Sequence, residues 1–81
     1  VDLELQLFAA LRERAGRSEL RLSGLPEGLS VSELKRALSA AHPELGSLLH
    51  VSVVVGTRYA AADERIGAGD EVALLPPVSG G

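Results

Sequence analysis

Cysteine, methionine and tryptophan are absent from the 81 residues, and Phe8 and Tyr59 are the only aromatics. Without cysteine the chain has no thiolate nucleophile, no persulfide, no disulfide and no soft metal site of its own. Any sulfur chemistry must therefore use another group. Two aromatics cannot build a stacking platform for bases. Lysine is nearly absent as well: Lys35 stands alone beside seven arginines, the cations are not clustered, and the net charge is −3 with a pI near 5.2. That balance excludes binding through neutralised nucleic-acid phosphates. No apolar run approaches membrane-spanning length. No basic segment followed by an apolar stretch opens the sequence, so the cytoplasm is the expected location. A glycine-rich phosphate loop and a spaced set of metal ligands are also missing, so the reading assigns no bound cofactor and no metal.

What is present is aliphatic and patterned. The length suits one small domain. Val1, Leu3, Leu5 and Leu7 alternate with Asp2, Glu4 and Gln6, which predicts a strand over residues 1–8 with one covered and one wet face. A short helix over Ala9–Ala15 follows, with Leu11 and Ala15 one turn apart, ended by Gly16. Residues 18–23 alternate again, with Leu20 and Leu22 inward, and suit a second strand paired with the first. Ser30 and Glu33 have capping-box spacing. They open a main helix with the stripe Val31, Leu34, Leu38 and Ala41, which stops near His42 because Pro43 follows. Residues 51–55, VSVVV, predict a strand in a central position. A brief strand follows over 58–60, then a tight turn over 67–70. In the last strand, 71–75, Val72 and Leu74 face the core while Ala73 and Leu75 face away. A sheet of about five strands packed on one main helix is an α+β architecture.

The sequence then ends Leu74-Leu75-Pro76-Pro77-Val78-Ser79-Gly80-Gly81. Residues 1–75 read as the folded domain and 76–81 as a flexible tail. Pro76 and Pro77 fix φ and donate no N–H, so they end strand pairing and aim the tail outward. Glycine has no Cβ, so Gly80 and Gly81 can pass a channel closed to larger residues. A carboxylate on Gly81 is then the candidate reactive group. It is ionised at neutral pH, with a reference pKa near 3.5, and becomes an electrophile only when activated.

Four segments narrow the reading. Residues 8–16, FAALRERAG, resemble the stretch after the first strand in the small subunit of molybdopterin synthase. Residues 30–34, SVSEL, resemble the start of that family's main helix. Residues 67–73, GAGDEVA, and 76–81, PPVSGG, resemble its last strand and tail. The resemblance covers nearly the whole chain and implies a ubiquitin-like β-grasp fold with a mixed sheet. It departs at Leu74-Leu75, where the family often has aromatics, and at Gly56-Thr57, where it often has asparagine.

The resemblance also implies a chemistry. Gly81 would be adenylated by an ATP-dependent activating enzyme and converted to a thiocarboxylate by a sulfur donor protein. The loaded tail would enter the synthase large subunit, in a heterotetramer, and supply sulfur for the dithiolene of molybdopterin. ATP would be bound by the activating partner, and this chain would be a carrier without catalytic residues beyond Gly81. Pro76, Pro77, Val78, Ser79 and Gly80 would thread the channel. Six extended residues reach roughly 20 Å at about 3.3 Å each. Apart from the resemblance, strand alternation projects Ala73, Leu75 and Val78, joined by Phe8, from the sheet face away from the helix, either as an apolar docking patch or as residues that a loop covers or that complete a minor core. Three alternatives remain open: a carrier for thiamine or tRNA thiolation, a ubiquitin-like modifier conjugated through Gly81, and a plain interaction module. His42 suits a helix C-terminus, His50 lacks an obvious carboxylate neighbour, and neither receives a role. Arg12, Glu13 and Arg14 read as a solvated helix face, Asp63-Glu64-Arg65 as surface loop, and Asp70 as a turn former.

Overall fold

The computed structural model describes residues 1–67 and 69–77. The elements are β1 (Leu3–Leu7), α1 (Ala9–Ala15), β2 (Glu19–Leu22), α2 (Val31–Ala41), a single 3-10 turn (Pro43–Leu45), β3 (Ser52–Val55), β4 (Arg58–Tyr59) and β5 (Val72–Leu75). One mixed sheet runs β2-β1-β5-β3-β4. β1 and β5 are parallel, and the other pairs are antiparallel. The first and last strands thus lie side by side in the middle of the sheet, with α2 across one face. This is the β-grasp arrangement.

Register explains why the aliphatic alternation works. Leu3 pairs with Leu22, and Leu5 with Leu20 and Val72. Leu74 pairs with Leu7 and Val53, and Val72 also with Val55. A one-residue slip would turn each row to water. Val31, Leu34 and Leu38 of α2 close over these rows together with Leu29, Leu45, Leu48 and Ile66, and no polar or charged side chain is buried among the described residues. Ala41 is exposed, so the helix stripe ends at Leu38, and Leu45 and Leu48 fill the core beyond it. The β-branched β3 is paired on both sides, but the middle position belongs to β5.

The start of α2 is fully satisfied. Ser30 Oγ accepts from the Glu33 N–H at 3.2 Å, and the Ser30 N–H donates to Glu33 Oε1 at 3.0 Å. The Val31 N–H donates to the Glu64 carbonyl and the Ser32 N–H to the Ala62 carbonyl, each at 3.0 Å. All the N–H groups that a helix start leaves open therefore have acceptors. Two of those acceptors come from the 62–66 segment, so this segment is a structural strap rather than a plain surface loop. Arg65 Nη1 donates to the Gly28 carbonyl at 2.7 Å, and Ile66 is buried.

Arg14 also departs from the solvated reading. Its Nη1 donates to the Leu45 carbonyl at 3.0 Å and passes over Gly46, where a Cβ would lie 3.0 Å from it. Gly46 has φ 75° and ψ −154°, a region essentially restricted to glycine. α1 is thereby tied to the 43–46 turn.

Candidate functional site at the end of the fifth strand

β5 reaches the end of its ladder at Leu75, opposite Ser52. Pro76 is half-buried and Pro77 exposed, and neither brings an N–H to continue the pairing. The sequence-predicted residues Val78, Ser79, Gly80 and Gly81 lie outside the described residues. What the structure describes is therefore the base from which they depart.

That base is apolar on the open sheet face. Alternation along β5 sends Val72 and Leu74 into the core and leaves Ala73 and Leu75 half-buried on the other side. The parallel β1–β5 register pairs Leu7 with Leu74, and Phe8 and Leu75 are the residues that follow these two in the chain. Phe8 is extended, with φ −123° and ψ 154°, and is 42% exposed. The three predicted docking residues thus come together. Val54 pairs with Ala73 and with Tyr59, which extends the patch by two residues that the sequence reading missed. Tyr59 is 70% exposed. Its signal was the chain's only tyrosine placed in a strand too short to bury it.

The chain turns sharply beside this patch. Ala9, the residue after Phe8, has φ 51°, a left-handed conformation that costs an L-residue roughly 1–2 kcal/mol. The turn lets the Leu11 N–H donate to the Phe8 carbonyl at 3.2 Å. Phe8 stays outside while Leu11, three residues on, is buried.

The other half of the open face is polar. Asp2, Glu4, Glu19, Asp70 and Glu71, with Arg21, border a cavity of about 360 Å³. Arg21 Nη2 meets Asp2 Oδ2 at 3.4 Å. Asp70 also holds its own turn, because its Oδ2 accepts from the Gly67 N–H at 2.8 Å.

The groups with displaced pKa values lie elsewhere. The Ser30 N–H and then the Ser30 hydroxyl hold Glu33 below the ordinary glutamate range. The Arg58 guanidinium lowers Glu64, and Glu64 in turn raises Arg58. Arg58 Nη2 forms an ion pair with Glu64 Oε2, an oxygen shut off from solvent. Glu44 is lowered by its own backbone N–H and by His42 Nδ1 at 3.1 Å. His42 caps the end of α2, as its position implied. His50 is exposed. Among the described residues there is no group of three or more His, Cys, Asp or Glu placed to hold a metal, and no helix is long and apolar enough to cross a membrane.

A sequence profile of the ThiS family matches residues 5–81, from β1 through Gly81. The chain belongs to the ThiS family. It is 39% identical to small archaeal modifier protein 1 of Haloferax volcanii, over 98% of this chain and all of that protein. It is 37% identical to the molybdopterin synthase sulfur carrier subunit of Dictyostelium discoideum, over 99% of this chain and 96% of that one. The crystal structure of SAMP1 from H. volcanii superposes with a TM-score of 0.83 at 38% identity, covering both chains completely. This ThiS-family chain is accordingly a β-grasp protein of the sulfur-carrier and ubiquitin-like-modifier type.

Proposed function

We propose that this ThiS-family chain is the sulfur carrier of a molybdopterin synthase and that the Gly81 carboxyl carries the sulfur. A carboxylate oxygen of Gly81 attacks the α-phosphorus of ATP on an activating enzyme and pyrophosphate leaves. The outer sulfur of a cysteine persulfide on a donor protein then displaces AMP from the acyl carbon, giving an acyl disulfide, and a second thiol of the partner proteins cleaves its S–S bond, releasing the Gly81 thiocarboxylate and leaving a disulfide on the partner. The loaded tail enters the large synthase subunit and transfers its sulfur to a pterin precursor. ATP belongs to the activating partner, and this chain holds no cofactor of its own. The chemistry suits the cytoplasm, where ATP is available.

One observation carries the reading. The middle strand of the sheet delivers the Pro76-Pro77 segment at a sheet end rimmed by Phe8, Leu75 and Ala73. A partner that covers this rim receives the next four residues, and only a chain ending in glycines passes a narrow channel. The 37% identity to a sulfur carrier subunit supports the pathway. The test is intact mass after incubation with ATP, the activating enzyme and a sulfur donor. The expected change is the replacement of one oxygen by one sulfur at Gly81. An unchanged mass overturns the reading, as does a Gly81 deletion that still sustains pterin sulfuration. Normal pterin output alongside lost thiolated nucleosides would move the chain to a tRNA-thiolation branch.

A second reading follows from the 39% identity to a modifier protein. In it the activated Gly81 acylates lysines on target proteins. Among the 81 residues, Lys35 is the one lysine through which polymers could then grow. Higher-mass conjugates in lysates that disappear on deletion of Gly81 would establish it.

A further inference from the structure

The sheet has two edges. At one, β4 is only Arg58–Tyr59. At the other, β2 runs Glu19–Leu22 and is bonded to β1 alone. Hydrogen-bonded pairs alternate with unbonded ones along an antiparallel ladder. The Leu7 N–H donates to the Ser18 carbonyl at 2.8 Å, one step beyond the Gln6–Glu19 pair. Leu20 and Leu22 are therefore the β2 residues that exchange bonds with Leu5 and Leu3. The backbone N–H and C=O groups of Glu19 and Arg21 point away from the sheet. Among the described residues no other strand or turn meets them, and both residues are exposed.

Natural edges are commonly blocked by proline, a bulge or repelling lysines. β2 is Glu-Leu-Arg-Leu, with opposite charges at alternate positions. A second β2 laid antiparallel against the first has few registers. Facing residues must send their side chains to the same face, and the outward backbone groups must meet each other. Centred on Glu19, the register sets glutamate against glutamate. Centred on Arg21, it sets arginine against arginine. Centred on Leu20, it sets Glu19 of each copy against Arg21 of the other, in the pairs that exchange hydrogen bonds. Opposite charges in facing positions stabilise such pairs and like charges oppose them. Of these three registers one is complementary in both charge and backbone groups. Arg21 also meets Asp2 Oδ2 at 3.4 Å. That contact is long and exposed, and a guanidinium has donors for both carboxylates.

We infer that β2 is a pairing edge for a second copy of this chain, joining two sheets into one across a twofold axis at Leu20. Both open faces then lie on the same side of the joined sheet. The two β5 strands run in opposite directions, each set back from the joint by β1 and β2, so the Pro76-Pro77 segments leave at opposite ends. The pairing does not depend on the carrier reading. Its contact is short and falls below the roughly 1,200 Å² of standard interfaces, so association is weak and shows itself in concentrated solution.

The test is sedimentation equilibrium on the full chain from about 10 μM to about 1 mM, the range of weak association. The parent should pass from monomer toward dimer. Glu19→Arg and Arg21→Glu should each weaken association about tenfold or more, because each sets two like-charged pairs across the axis. The exchanged chain Glu19→Arg/Arg21→Glu should regain it, as should an equimolar mixture of the two single variants. Both single variants remain net acidic, so general attraction does not mimic that recovery. Glu13→Arg, a charge reversal at an exposed position on α1, should match the parent. Amide exchange followed by NMR needs no variant: the Glu19 and Arg21 N–H groups should exchange freely in dilute solution and slow on concentration. A parent that stays monomeric at about 1 mM overturns the inference and leaves the edge to an extended segment of another protein. Association that survives both reversals also overturns it, as does a loss that neither the exchange nor the mixture restores, because the copies then meet through another surface. If a single variant melts early by circular dichroism, the amide exchange of the parent decides.

Discussion

On the covered face of the sheet every position of β1, β2, β3 and β5 is leucine or valine: Leu3, Leu5, Leu7, Leu20, Leu22, Val53, Val55, Val72 and Leu74. On the open face the same strands present Glu4, Gln6, Glu19, Arg21, Ser52, Val54, Ala73 and Leu75, with Tyr59 beside them. The covered face is uniform because each residue has the same task, which is to leave water and fit its neighbours. The open face is divided. Its β1–β2 half is charged and wet, and its β5–β3–β4 half is apolar although no element among the described residues covers it. Stability asks for the first pattern. The second is what an intermolecular contact requires, because exposed apolar area contributes nothing until a partner covers it.

The comparison breaks if stability depends on the two faces equally. The largest effect is expected at Leu5, which is fully buried and paired on both sides. Leu5→Ala should lower unfolding free energy by about 2–5 kcal/mol in urea titrations, through lost burial and the cavity left behind. In so small a domain this removes much of the total. A cost below about 1 kcal/mol would mean that the rows do not act as a packed core.

Next comes the cap of α2, on the covered side. Ser30→Ala removes the acceptor for the Glu33 N–H and should cost about 1 kcal/mol in the same assay. The same region should make the fold sensitive to acid. Glu33 and Glu64 are held below the ordinary glutamate range when folded. Their contribution is therefore complete above the unfolded glutamate pKa of about 4.3 and is lost as pH falls through the lower folded values. Melting temperature followed downward from pH 6 should begin to fall near the unfolded value. Glu33→Gln retains an amide oxygen for the capping box and should flatten part of that fall.

Ala9 sits where the chain crosses from the open face at Phe8 to the core at Leu11. Ala9→Gly should raise unfolding free energy by about 0.5–1 kcal/mol, since relief of the left-handed conformation (roughly 1–2 kcal/mol) exceeds the entropy cost of a glycine (roughly 0.5–1 kcal/mol). A destabilised Ala9→Gly would show that the boundary between the faces is not strained.

Much of the covered face was legible in the sequence because strand alternation and the capping box are local signals. α1 matches its predicted span of Ala9–Ala15, and Val72 and Leu74 point inward as read. The strap formed by Ala62, Glu64, Arg65 and Ile66 was not legible. It has no periodicity, and its bonds run to residues some thirty positions away in the chain. Arg14 looked solvated because nothing local says that α1 lies against Gly46. On the open face, Phe8, Ala73 and Leu75 followed from alternation, while Val54 and Tyr59 needed the strand order. Tyr59 stays uncovered only because β4, two residues long, closes the sheet at that edge.

Tyr59 gives the sharpest form of the comparison because its two effects should separate. It is 70% exposed and lies opposite Val54 in the β3–β4 register. Tyr59→Ser should change unfolding free energy by no more than about 0.5 kcal/mol, the smallest shift in this series. On an apolar docking face, a tyrosine truncated to serine should still weaken binding to the partner that receives Gly81, by about tenfold, as buried tyrosines do in interface centres. Urea titration and isothermal titration calorimetry on the same sample measure both quantities. If binding is unchanged, Tyr59 takes no part in the proposed docking, and the apolar half of the open face is smaller than its chemistry suggests. If stability falls by as much as in Leu5→Ala, the open face is part of the core in solution, and the division between the two faces does not hold.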